Sequence, residues 1–302
     1  MDLMICGACG VQYNTRAVKS CKICDDPRQY VAPGGQWWTT LREMQESKKY
    51  KNEFHMDKNH SGMISIFTVP QVAIGQRAIL CCTSKGNILW DCITFIDDET
   101  VRRIQNLGGI RAIVISHPHY FSTSIHWAKA FNCPVYISEE DKIWLMRVAE
   151  GTQSINTIKT PIEKASPRHV FWKGPELDLG DVKIVKVGGH FPGSSVLLWK
   201  ETKKLLIADS ITVVPSGVYH VDRPPGTVSF TFMWSYPNMI PLPPDEVHSI
   251  WKAVSKLDFD DTHGAFWGRD TIGDSKRRVL ESAQIFIKSM GYVDHAIHQE
   301  TV

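Results

Sequence analysis

A chain of 302 residues with 34 basic and 32 acidic side chains carries a formal net charge of +2, which excludes a general attraction to nucleic acid or to an anionic membrane. Its longest apolar runs, such as "RAIVIS" and "KLLIAD", are strand-sized and fall well short of the roughly 20 residues that cross a bilayer. The N-terminal "MDLMICGACG" lacks the basic leader and apolar core of a signal peptide, so a cytoplasmic, reducing setting is expected.

In chain order, the first element is "CGACGVQYNTRAVKSCKICDD", two C-x-x-C knuckles (Cys6 and Cys9, Cys21 and Cys24) separated by eleven residues. Each knuckle turns two thiolates towards one point, and two knuckles complete the tetrahedron that Zn²⁺ accepts without strain. The segment is too short and too poor in apolar residues to fold unaided, so the metal would supply its folding energy. A structural zinc ribbon is the expectation; a redox pair and an iron–thiolate centre are the alternatives. With four ligands in place no position is open to a substrate, so no catalysis is assigned here. Cys81, Cys82, Cys92 and Cys133 lie in or beside strand-like runs and read as small core residues. "RQYVAPGGQWW", broken at Pro33-Gly34-Gly35, reads as a linker, giving a module over residues 1–35 and a main domain over residues 36–302.

Short strand-like runs then follow in quick succession: "ISIFTVPQVAIG", "AILCCT", "NILWDC", "RAIVIS", "PVYIS", "VKIVKVGG", "SSVLLWK" and "KLLIADS". Helical periodicity intervenes near 97–107, 122–131, 139–149, 244–257 and 274–290, and "PLPPDEV" marks a helix start with prolines before acidic first-turn residues. Strands followed by helices in each half suit two packed sheets with helices outside, an α/β (α+β) class.

Several of these strands end in polar residues. "SHPHYFS" places His117 and His119 on a loop after an apolar strand, a weak signal alone, for which paired surface histidines are the bland reading. "KVGGHFPGSS" puts His190 in a Gly-rich loop, "KLLIADS" ends in Asp209, and "DFDDTHGAFWGR" offers His263. Polar residues projecting from the ends of several strands are how sheet proteins assemble sites.

With these segments the chain resembles the metallo-β-lactamase superfamily over roughly residues 60–290: H-x-H-x-D-H, a Gly-rich histidine loop, a strand-end aspartate and a late histidine. "RQYV", "GQWWTTL", "LWDCI", "HPHY", "GGHFPGSS" and "GAFWGR" are further similar to a subgroup of that superfamily with an N-terminal ribbon. The resemblance implies an αββα metallo-β-lactamase-like sandwich preceded by the small four-cysteine zinc ribbon. It implies metal ligation by His117, His119, His190 and Asp209, with Asp209 and His263 as catalytic residues. Phe121-Ser122 stand where the pattern has Asp-His, which implies a mononuclear centre. Zinc suits that ligand set, and so do ferrous iron and manganese.

The activity implied is a metal-dependent hydrolase of an ester, thioester, lactone or amide. A mononuclear non-haem iron oxidoreductase and a catalytically weak binding module of the same fold are the alternatives. The expected partner is a small-molecule substrate, with no membrane and no nucleic acid. Tyr120 reads as a replacement hydrogen-bond donor or as an apolar lid. His126, one turn along a helix from Ser122, reads as a stand-in for the missing second-site histidine or as a solvated residue, and His55, His60, His169, His220, His248, His295 and His298 read as solvated. Trp234, Tyr236 and Trp267 are candidates for an aromatic pocket, and Arg269 for an anion contact.

Overall fold

Residues 2–29, 31, 33–149, 152–155, 167–219, 224 and 226–302 are described by a computed structural model. His220 lies outside the described residues. The chain divides into two units, Met1–Gly174 and Pro175–Val302.

The first unit opens with β1 (Met4–Cys6), which pairs antiparallel with β2 (Trp38–Thr40) so that Cys6 faces Trp38. The segment "QWW", expected to link, therefore returns to brace the first knuckle. Helix α1 (Leu41–Glu46) starts immediately, fixed by a capping box: the Glu43 amide donates to the Thr40 hydroxyl and the Thr40 amide to the Glu43 carboxylate. Ile5, Met44 and Phe95 form one buried apolar cluster, so the N-terminal module shares packing with the rest of this unit.

An eight-stranded sheet follows. Strands β3 (Lys51–Met56), β4 (Met63–Val69), β5 (Arg77–Cys81) and β6 (Ile88–Trp90) form an antiparallel meander. Helix α2 (Asp98–Asn106), N-capped by Asp97, carries the chain to β7 (Ala112–Val114), and α3 (Ser124–Phe131) carries it to β8 (Val135–Ser138). Strands β9 (Gln153–Ile155) and β10 (His169–Trp172) complete the order β3-β4-β5-β6-β7-β8-β10-β9, with every pairing beyond β6 parallel. Parallel neighbours need helical crossovers, which cover the sheet, so β7 and β8 are buried along their whole length.

The second unit holds a six-stranded sheet. Strands β11 (Glu176–Asp178), β12 (Val182–Lys186), β13 (Ser195–Trp199) and β14 (Lys204–Leu206) run antiparallel in turn. Two short ribbons follow, β15 (Thr212–Val213) with β16 (Phe230–Thr231) and β17 (Met233–Ser235) with β18 (Ile240–Pro241); α4 (Pro215–Val218) sits between the first two. Helix α5 (Pro244–Val254) begins with proline and an acidic first turn, which suits the unpaired amides at a helix start. Strand β19 (Asp261–His263) then lies parallel to β14, β20 (Asp270–Thr271) closes the edge, and α6 (Ser275–Ser289) follows. Leu205, Ile207, Phe230, Ile250, Trp251 and Val279 lie at the heart of this unit's core. Among the described residues no helix is long and apolar enough to cross a membrane.

Two expectations are corrected. Residues 139–149 form only a 3₁₀ turn over Glu139–Trp144, because Lys22 Nζ donates to the Ile143 carbonyl at 2.7 Å and both Lys22 and Arg28 cover the Trp144 ring, holding the turn against the knuckle. His169 and His248 are buried rather than solvated. His169 opens β10 and accepts the Ala149 amide, while His248 lies 2.8 Å from a carboxylate oxygen of Glu300.

Candidate functional site

The knuckles converge as their spacing implies. Sγ of Cys6 is 3.6 Å from that of Cys24, Sγ of Cys9 is 3.6 Å from that of Cys21, and all four lie within 4.8 Å of one another. Four sulfurs about 2.3 Å from one zinc ion stand roughly 3.8 Å apart, whereas a disulfide needs about 2.0 Å. The four cysteines are free and buried. The two knuckles share one backbone turn, the Gly10 amide donating to Cys6 O and the Asp25 amide to Cys21 O, each at 2.8 Å. Burial pushes the Cys9 thiol above its ordinary range, while hydrogen bonds from Cys24 and its neighbours pull Cys21 down. Thiols this close share protons, and all four ionise together only around a cation.

In the first unit β7 delivers the His-x-His loop. Pro118 opens a 3₁₀ turn over Pro118–Tyr120 that sets the His117 and His119 rings 5.1 Å apart, with ligand nitrogens within 4.8 Å. Asp91, fully buried at the end of β6 with φ of 63°, accepts the Ser116 amide at 2.7 Å and the Ser116 hydroxyl at 2.9 Å. Since that hydroxyl has given its proton to Asp91, its oxygen accepts from His117 Nδ1, 2.9 Å away. The proton on Nδ1 leaves the lone pair of His117 on Nε2, the form that ligates a metal. The sequence marks this Asp91–Ser116 brace only by an acid ending an apolar strand, in "LWDC".

Tyr120 is fully buried with its ring edge-on to His117 at 5.3 Å. Phe121 and Ser122 are buried too. Ser122 sits at φ of 41°, its hydroxyl donating to Cys92 O and its carbonyl accepting the Gln12 amide, both at 3.1 Å. His126 is half-buried on α3; burial, with the nearby Arg147 and Lys129 charges, lowers it to about 4, so it is neutral.

In the second unit the His190 loop turns on Gly188 and Gly189, at φ of 66° and 78°. A Cβ on Gly189 would also lie 2.9 Å from Leu242 Cδ1, so both backbone and space require glycine there. The Ser210 hydroxyl donates to Gly188 O and accepts the His190 amide, tying this loop to the residue after Asp209. His190 Nδ1 lies 3.3 Å from Met233 O, and a carbonyl only accepts, so Nε2 again bears the lone pair, 3.7 Å from Asp209 Oδ2.

Tyr236, a candidate for the aromatic pocket, has its ring 5.9 Å from that of His190 and also braces the Asp209 turn. Its hydroxyl donates to Asp209 O at 2.7 Å and takes the Thr212 hydroxyl at 2.6 Å. Burial and then the Asp209 charge raise its pKa, keeping it a donor. Trp267 is 48% exposed, and Trp234 packs on the core of this unit. His263, at the end of β19, is fully buried; neither ring nitrogen makes a hydrogen bond among the described residues, and Nδ1 stands 3.5 Å from Asp270 Oδ1.

Among the described residues, Cys6, Cys9, Cys21 and Cys24 form a set that can bind a metal ion, while His117 and His119 offer two ligand atoms in the first unit and His190 and Asp209 two in the second. His126 and His263 belong to none of these groups. Residues 75–258 match the sequence profile described as Metallo-beta-lactamase superfamily. The chain is 37% identical over 297 residues to the uncharacterised protein YmaE of Bacillus subtilis (strain 168), covering 96% of this chain and 97% of that one. Among solved structures it is similar to VMB-1 at pH 5.5, with TM-score 0.53 and 11% identity over 80% of this chain and 99% of that one. The DIM-1 metallo-β-lactamase gives 0.52 and 15% identity, over 79% of this chain and 100% of that one. These likenesses show the fold.

Proposed function

The chain belongs to the metallo-β-lactamase superfamily, and from that membership and its buried ligand residues we propose a metal-dependent hydrolase acting on an ester, thioester, lactone or amide. In this reading His117, His119, His190 and Asp209 together hold one ion. The observation that carries it is the hydrogen bonding of two imidazoles: His117 Nδ1 lies 2.9 Å from the Ser116 hydroxyl and His190 Nδ1 3.3 Å from Met233 O, an arrangement that leaves Nε2 of each as the lone-pair donor. Zinc fits three imidazoles and a carboxylate, and so do ferrous iron and manganese. A bound ion supplies Lewis acidity towards a carbonyl oxygen and makes water acidic near neutrality.

The protein's own groups do the rest. Asp209, held from its main chain by Tyr236, keeps a carboxylate beside His190. His263, with Asp270 beside it, is the proton carrier towards the leaving group. The centre is mononuclear, because Phe121 offers no ligand atom and the Ser122 hydroxyl is spent on Cys92 O. The four-cysteine set holds a structural zinc, which suits a cytoplasmic, reducing setting. The partner is a small molecule, and the near-neutral charge gives no basis for nucleic acid.

The test is a panel of activated esters, thioesters and lactones assayed on wild type and His190→Ala after zinc, manganese or ferrous loading. Turnover in wild type that His190→Ala lacks supports the reading. Equal background rates in both would sink it.

A further inference from the structure

The knuckle and the His-x-His loop, both in the first unit, are joined by three hydrogen-bonded bridges. The Gln76 carboxamide, 4% exposed, donates from Nε2 to Cys9 O at 2.9 Å and to His119 O at 3.1 Å. The Gln12 amide donates to Ser122 O at 3.1 Å. Thr94 Oγ1 donates to Gly10 O at 3.3 Å, and Thr94 O accepts the Thr123 hydroxyl at 2.8 Å. Residues 9–12 thus supply every knuckle group in these bridges, and residues 119, 122 and 123 receive them.

The knuckle's shape depends on Cys6 and Cys9 sharing a point with Cys21 and Cys24. Gly10 shows how closely it is fitted: it sits at φ of 81°, and a Cβ there would lie 2.1 Å from Thr94 Oγ1. Without an ion the thiols lose their common centre and the Gly10-to-Cys6 turn has little to hold it. Loss of the ion would free Cys9 O and Gly10 O from Gln76 and Thr94. A buried carboxamide that loses one of two acceptors is left with an unsatisfied donor and a weakened hold on the other acceptor.

We propose that Gln76 is a positioning residue that couples the metal state of the four-cysteine knuckle to the backbone of His119, so that the knuckle ion is required to hold the His-x-His loop in ligating form. The coupling rests on the metal reading of both clusters, yet its first readout needs no ion at the histidines. Gln76 touches neither substrate nor ligand nitrogen; it acts through the main chain. Of the two positions held by Asp-His in the superfamily pattern, the second, Ser122 here, gives its carbonyl to this docking.

The experiment measures amide hydrogen exchange over residues 116–124 in the full chain as purified, after removal of the knuckle ion with a mercurial thiol reagent, and in Gln76→Met. Ion removal and Gln76→Met should each speed exchange of 116–124 at least tenfold, with strands 63–69 and 77–81 changing less than twofold. Elemental analysis should find the knuckle ion retained in Gln76→Met. In cobalt-loaded Gln76→Met, the thiolate charge-transfer band should persist while the ligand-field bands of the histidine site shift. Exchange within twofold of wild type in a Gln76→Met chain that keeps its knuckle ion overturns the proposal. If the variant does not fold, the wild-type arm decides alone: unchanged exchange after ion removal overturns it equally. Absence of turnover or of a histidine-bound ion would count against the hydrolase and leave this result standing.

Discussion

His117 and His190 are both hydrogen-bonded at Nδ1 but by different means, the first through Ser116 and Asp91, the second through Met233 O. The first route is the more fragile, because it passes through one hydroxyl. Ser116→Ala removes the acceptor for Nδ1–H and one donor to a fully buried carboxylate. The expected result is about 10- to 100-fold weaker binding of the ion at the histidines, read by chelator competition, with roughly 1–3 kcal/mol lost in urea unfolding. Affinity unchanged within twofold would mean the relay does not set the tautomer. His190→Ala should remove that ion and any turnover altogether. His126→Ala should leave both within twofold, since His126 belongs to neither ligand set; metal analysis of the two variants side by side settles the contrast.

At the scale of the element, pH reports on His169, the first residue of β10. Burial, with the Arg147 charge adding to it, lowers its pKa from 6.5 to about 4. The folded chain keeps His169 neutral while the unfolded chain protonates it below 6.5, so its contribution is complete above pH 6.5 and is lost as pH falls towards 4. Urea midpoints of wild type and His169→Gln between pH 7 and 4 should differ in slope, the variant losing about 1–3 kcal/mol less over that window. Parallel curves would contradict the assignment. His169 also marks what the sequence conceals. The knuckles, the His-x-His turn and Gly-Gly-His are legible because each is settled within a few residues by spacing or by the need for positive φ. The extents of α2 and α6 are legible from periodicity, and the start of α5 from its prolines and acidic first turn. A lone histidine at the start of β10 carries no such local mark. Nor does Gln76, which meets Cys9 across 67 residues, or Trp38, whose partner Cys6 lies beyond the supposed linker. Those contacts come from the way the strands fold back, and residues 139–149 lose their helical expectation for the same reason.

For the whole molecule the sharpest quantity is the number of ions per chain. The four-cysteine set accounts for one and the histidine–aspartate set, in the mononuclear reading, for a second. Elemental analysis after exhaustive dialysis against a weak chelator should give two ions per chain. Three tightly held ions would require ligands at Phe121 and Ser122, which they do not supply. The obvious engineering step, Phe121→Asp with Ser122→His, restores the superfamily pattern in sequence but meets a position already in use. Phe121 is 2% exposed, and a carboxylate buried there without a partner costs several kcal/mol. Ser122 must hold φ of 41° while giving its hydroxyl to Cys92 and its carbonyl to Gln12. A bulkier imidazole at that conformation is strained and forfeits the first of those bonds. The double variant should therefore still hold no third ion, should unfold at lower urea than wild type, and should lose knuckle metal to a chelator faster. A stable double variant that gains a third ion would show that this docking yields readily and that the second metal position persists beneath it.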